Sequence, residues 1–378
     1  MRWNPVWLAL GAAMSLSATQ MCEGASFFGI GDAPGGAYHS VATAVSDDGS
    51  VIIGWGSSDD GSQAIRWTAL SGPVGLGDLS GGLFLSQGFG VSGNGTSATG
   101  RGETGDGSRA FRWTGYAGIQ NIGGSGPGLN SIGRAMNYDG DVVVGSNFTG
   151  GIPNSTAFRW SSALGMQSLG KLTSAPFSSS SAMGVSNDGN VVVGSSDSDL
   201  GRQAFRWTES GGMVGLGDLP GKQFESSGAA ISADGLTIVG YSVSSHGREA
   251  FRWTEELGMV GLGALPGDSF SSHAVSVSGD GSVIVGMSNH GSGSSAFIWT
   301  QELGMRPLAD VLTQSLGIDL GGWQLRDVYD ISADGTTVVG YGFNPDGNIE
   351  GWVAVIPAPS AMCVMIGGCV LGGVRRRR

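Results

Sequence analysis

Four histidines, three cysteines and several short acidic runs are the residues of this 378-residue chain that could ligate a metal or carry a proton. His39, His246, His273 and His290 share no metal-ligand spacing, and no His-x-x-x-His pair occurs. Cys22, Cys363 and Cys369 all sit in the terminal segments, which leaves the body without a thiol for a disulfide framework or a zinc site. Asp59-Asp60-Gly61, Asp106-Gly107 and Asp197-Ser198-Asp199-Leu200-Gly201 offer oxygen ligands of the kind calcium takes. None has the alternating carboxylates and distal Glu of a calcium loop, and they read as solvated turns. No Gly-x-Ser-x-Gly elbow occurs, and Gly75-Leu76-Gly77 lacks the following helix that a phosphate-binding loop needs. The sequence therefore assigns no catalytic, cofactor-binding or metal residue. The stretch near Asp310, Asp319 and Trp323, where the pattern described next is interrupted, is expected to cap the core, and it is the place for a unique site if the chain has one.

The elements that would position any site follow from composition and repetition. Gly occurs 71 times and Pro 12 times, while hydrophobic residues make up 40% and charged ones only 13%, the profile of many short strands and tight turns around a real core. The formal net charge is -12, and Arg2 and Arg375 to Arg378 lie at the ends, so the part between them is more acidic still. Such a surface repels phosphate backbones and excludes nucleic acid as a partner.

Trp67, Trp113, Trp160, Trp207, Trp253 and Trp299 recur every 46 or 47 residues, as in Ala204-Phe205-Arg206-Trp207-Thr208, and Gly351-Trp352-Val353 follows as a divergent seventh copy. On the same beat, Asx-Gly pairs from Asp48-Gly49 to Asp334-Gly335 precede β-branched runs such as Val191-Val192-Val193-Gly194, the cue for a hairpin turn with positive φ. A Leu-Gly element, as in Val214-Gly215-Leu216-Gly217-Asp218-Leu219, completes each unit. Each repeat thus reads as four strands, and the fold class as an all-β, seven-bladed β-propeller over residues 27-356. The seventh unit runs out at Trp352, whereas Phe27-Phe28-Gly29-Ile30-Gly31-Asp32 stands alone before the first; this N-terminal strand is expected to close the last blade and remove an open edge. Alternation puts Phe111 and Trp113 on one strand face and Arg112 on the other. The Trp rings are expected to fill the space between blades, and the repeated arginines to reach a turn carboxylate. Between Arg306 and Arg326, Leu308, Val311, Leu312 and Leu316 are spaced for a short amphipathic helix covering one end of the ring.

Both ends read as addresses. Residues 1-25 carry Arg2 and the apolar run Val6 to Met14, the layout of a secretory signal peptide. Residues 357-378 hold Pro357, Pro359, fourteen uncharged residues from Ala361 to Val374 and then Arg375, Arg376, Arg377 and Arg378. As a helix, fourteen residues reach about 21 Å, short of the roughly 30 Å hydrocarbon core, so the segment serves transient insertion with its arginines held in the cytoplasm.

This tail resembles the bacterial Pro-Glu-Pro C-terminal (PEP-CTERM) sorting signal, with Ala358 standing where that signal has Glu. The resemblance implies an exosortase-type membrane protease as a partner. The repeat, through Ala-Phe-Arg-Trp, Asp-Gly-x-Val-Val-Gly and Gly340-Tyr341-Gly342-Phe343-Asn344-Pro345-Asp346-Gly347, resembles the extracellular bacterial His-Ala-Phe (HAF) repeat family, whose His is replaced here by Gln63, Arg109, Thr156, Gln203, Glu249 and Ser295. That resemblance implies a secreted repeat protein and brings no known activity. The expectation is an exported, non-enzymatic surface or matrix protein, monomeric in its body, that meets an extracellular polysaccharide or a surface protein. The alternative is a propeller enzyme of the glycoside hydrolase or lyase type, which needs two repeat-breaking carboxylates about 5 to 10 Å apart.

Overall fold

The computed structural model describes residues 24–358 except 125, 127, 150–153, 222, 268, 291 and 292. The signal segment up to residue 23, Pro359 and Arg375 to Arg378 lie outside the described residues; Pro357 lies just after the last strand. Among the described residues no helix is long and apolar enough to cross a membrane.

The chain is all-β, built from 28 strands in antiparallel sheets of four. Five sheets are separate, and the units made by the first and second repeats are counted as one eight-stranded sheet through a single parallel bridge between Ser62 and Leu85. The fifth repeat shows how sequence becomes structure, with strands Ser226–Ile231, Ile238–Ser244, Gly247–Thr254 and Gly258–Gly261 paired in chain order. Its Asx-Gly turn is held by Asp234, whose Oδ1 accepts the Ser232 hydroxyl at 2.5 Å and the Leu236 N–H at 3.0 Å. Gly235 takes φ of 75° there. A Cβ on it would meet Val191 of the preceding unit at 3.2 Å, so both the backbone and the neighbour require glycine.

Adjacent units are fastened by a serine near the start of every inner strand except that of the seventh unit. The Ser226 hydroxyl oxygen accepts the Ala204 N–H of the preceding unit at 3.0 Å and donates to the Gly217 carbonyl at 2.6 Å. Ser86, Ser180 and Ser272 repeat both bonds. Around these bonds the Phe of the third strand is sealed, with Phe111, Phe158, Phe205, Phe251 and Phe297 at 0% exposure.

The repeated tryptophans pack between the units as expected, Trp67 to Trp299 each lying partly buried against the apolar cluster that its unit shares with a neighbour. Trp352 is fully buried because it is not their counterpart: it faces Gly340 as Phe205 faces Gly194, and Ala354 takes the Trp place. Two of the repeated arginines cross to the next unit as expected but end on backbone, whereas Arg252 donates to the Thr237 hydroxyl of its own unit. The Arg112 and Arg159 Nε donate to the carbonyls of Gly140 and Gly189 at 2.6 and 3.1 Å, so the partner is a turn carbonyl and not a carboxylate.

The beginning and end of the repeat region meet as expected. Strand Ser26–Gly29 pairs antiparallel with Ile349–Val355, with Ser26 opposite Val355 and Gly29 opposite Trp352. Ser40 of the first unit then takes the Gly351 N–H at 3.2 Å and donates to the Gly31 carbonyl at 2.6 Å, repeating the fastening of the other units. The seam before the seventh unit differs, since Leu325 stands opposite Gly342 where Ser272 stands opposite Ser288. A short helical stretch, Leu308–Asp310 running on into Val311–Ser315, covers this seam. Leu308, Val311, Leu312 and Leu316 are buried there in one cluster with Val338 and Trp352.

Replacing Phe205 by Ala is expected to cost about 3 to 5 kcal/mol, and Trp207→Ala distinctly less, in urea unfolding followed by circular dichroism. Ser226→Ala, which strips two buried backbone groups of their partner, is expected to cost about 1 to 3 kcal/mol, against no measurable change for the exposed Ser210→Ala.

Candidate functional site

Each inner strand carries a β-bulge at the same place, where an extra residue turns toward the axis shared by the units, and the inner strands of the second and seventh units carry a further irregularity. The extra residues are Thr43, Phe89, Arg134, Met183, Ala229, Val275 and Tyr329. All seven line one cavity of about 200 Å³, together with the small residues beside them. The flanking positions repeat because strands pack there. The bulge positions face open space and differ in every unit.

One end of this cavity is bridged. Backbone hydrogen bonds run from unit to unit through the Asx-Gly turns: Asp47 N–H to Gly93, Asn94 to Tyr138, Tyr138 to Asn187, Asn187 to Ala233, Ala233 to Gly279, Gly279 to Ala333 and Asp334 back to Asp47. Across them the Asn187 amide donates to the Asp47 carboxylate at 2.7 Å. Burial raises the Asp47 pKa against the lowering effect of that bond.

The other end is aromatic and charged. Because the turns occupy the bridged end, the residues paired near the starts of the inner strands lie toward the other end, beyond the lining of the cavity itself. Trp55 sits opposite Val41, Arg101 opposite Gln87, Tyr241 opposite Ser227 and Tyr341 opposite Asp327. Trp55 stacks with His39 at 4.8 Å, Tyr329 with Tyr341 at 6.0 Å, and the Arg248 guanidinium lies 3.9 Å over the Tyr241 ring. Burial and the bond to Asp327 push the Tyr341 hydroxyl up to about 12, and burial with the nearby Asp327 charge raises Tyr329. Burial, with Arg248 beside it, lowers the His273 pKa, so this imidazole is held neutral.

Two charged groups reach into the cavity from the wall. Asp330 stands where the other units have Ala, Gly or Ser, and it is half-buried. It accepts the Ser276 hydroxyl at 2.6 Å and the N–H groups of Val45 and Ile331 at 2.9 Å, tying the sixth, seventh and first units together. Burial raises its pKa to about 6. Arg134 lies 5.3 Å over the Phe89 ring, its pKa lowered by burial and by Arg101, and its buried Nε has no hydrogen-bond partner.

The residues singled out from sequence do not assemble here. Trp323 packs edge-on against Phe27, and the Asp319 carboxylate caps the Gly321 N–H, both at the seam beside the helical stretch that also contains Asp310. Asp59 accepts the Gly36 N–H, and Asp197 lies 3.9 Å from Arg202 while accepting the Ser179 N–H, so these loops use their carboxylates in turns. Among the described residues no three His, Cys, Asp or Glu side chains converge as a metal site. Sequence reading missed Arg134, Tyr329 and Asp330. The available signal was that their positions vary while their neighbours repeat.

Asp330 supplies a pH test. An unfolded Asp gives up its proton near 3.8, and the folded one near 6, so between these values the folded state holds the extra proton and stability falls as pH rises. From pH 4 to pH 7 the native protein is expected to lose about 2 kcal/mol relative to Asp330→Asn, read as the difference between their unfolding free energies. Parallel curves for the two proteins would refute this.

No protein-family model matches the sequence, and no curated protein matches it either. Solved structures are similar in fold. An oligogalacturonate lyase from Vibrio parahaemolyticus superposes with a TM-score of 0.56 at 13% identity, covering 84% of this chain and 89% of that one. An oligogalacturonate lyase in complex with manganese gives 0.54 at 15%, covering 88% and 96%. The β-propeller domain of the Trilobed protease from Pyrococcus furiosus, described as having an open velcro topology, gives 0.54 at 10%, covering 84% and 92%. At these identities the likeness is one of fold: the chain has a propeller-like, all-β architecture.

Proposed function

We propose that this chain is an exported, seven-bladed propeller that binds an extracellular polysaccharide at its aromatic mouth and does no chemistry on it. Seven blades in a closed ring are supported by the seven backbone links that return to Asp47 and by the pairing of Ser26–Gly29 with the last unit. Export and surface sorting rest on the residue 1–25 segment and on Pro357, Pro359 and Arg375 to Arg378, with an exosortase-type protease as the partner that reads the tail. The observation that carries the binding role is the one-ended cavity: differing side chains and stacked aromatic rings at one mouth, and the Asp47–Asn187 bridge at the other. Aromatic faces with a few placed polar groups are what a sugar ring requires.

The enzymatic alternative, action on extracellular carbohydrate, takes some support from the lyases of similar fold. It needs acid and base groups free to work. The two carboxylates that line the cavity, Asp47 and Asp330, are both bound into the wall, which favours binding. Incubating the secreted protein with a panel of neutral and acidic polysaccharides is expected to show retention without release of reducing ends or unsaturated products, and Trp55→Ala is expected to weaken retention at least several-fold. Steady product release would make the protein an enzyme.

A further inference from the structure

A buried cation without a counter-ion is expensive unless something arrives to pair it. Arg134 is half-buried and carries such a charge at its buried Nε. Its Nε is buried and unbonded, no ion pair to it exists among the described residues, and the charge that most affects it besides burial is the repulsive one of Arg101. Arg101 cannot fold away, because its Nε is held by the Gln87 side chain at 3.0 Å. Beneath the guanidinium lies the Phe89 ring, which covers one face and leaves the hydrogen-bonding edge turned elsewhere. Two positive groups are thus gathered at the mouth of a protein whose net charge is -12.

We infer that Arg134 receives the carboxylate of a uronic acid, so that the glycan bound at the mouth is an acidic one. This rests on reading the mouth as a sugar-binding face. A guanidinium edge matches a carboxylate with two parallel hydrogen bonds. The cavity of about 200 Å³ is smaller than the roughly 300 Å³ at which drug-sized sites begin, which suits one sugar ring and not a chain. A singly charged ligand also fits the far wall better than a phosphate: Asp47 and Asp330 line the same cavity, repel a dianion, and offer acceptor oxygens to sugar hydroxyls.

Calorimetric titration of the full chain with galacturonate, its methyl ester, galactose and inorganic phosphate tests this. Galacturonate is expected to bind at least tenfold more tightly than its ester, a comparison that needs no variant. Arg134→Met is expected to abolish that preference, and Arg134→Lys to retain part of it. Equal binding of acid and ester overturns the inference and leaves the sugar-binding mouth standing. Binding of none of the sugars overturns both, and phosphate binding tighter than galacturonate replaces the carboxylate with an oxyanion site.

Discussion

The architecture depends on a single hydroxyl used repeatedly. A four-stranded sheet with two apolar faces has no stable existence alone, and the third strand of each unit leaves an N–H that no strand of its own sheet satisfies. The serine near the start of the next inner strand takes that N–H and returns its own proton to the connecting glycine carbonyl, as Ser226 does for Ala204 and Gly217. Polar satisfaction and apolar burial therefore happen in the same step, since docking that closes the bond also seals Phe205. Where the serine is missing, at Leu325, the chain compensates with volume. Leu308, Val311, Leu312 and Trp352 fill that seam.

The repeat was legible because its packing is local and periodic. The strand Ser26–Gly29 was visible from sequence because it copies an element that the last unit lacks. The misplacement of Trp352 came from matching residue type: register puts this Trp in a Phe position, and only strand pairing reveals register. The arginine heads were sent to the wrong partner for a similar reason. The carbonyls of Gly140 and Gly189 leave no mark in a sequence, whereas a nearby Asp does.

The candidate site was hidden by a different effect. A bulge inserts one residue and breaks the alternation by which inward and outward faces are read, so Arg134 and Tyr329 had no assignable direction. The longest irregular stretch, with Asp310, Asp319 and Trp323, serves a seam instead. Repetition marks what the units do for one another, and departures within a repeated position mark what the assembly does for something else. Asp330 shows both at once, replacing a small residue and binding three units together beside the cavity.

The pairing of Ser26 with Val355 also sets a direction. Val355 lies opposite Thr337, and Ile356 donates its N–H to Thr336, so both ends of the repeat region leave beside an Asx-Gly turn, on the side carrying the Asp47–Asn187 bridge. The two ends of the described chain therefore share one face, and Trp55, Tyr241 and Tyr341, near the far ends of their strands, belong to the opposite one.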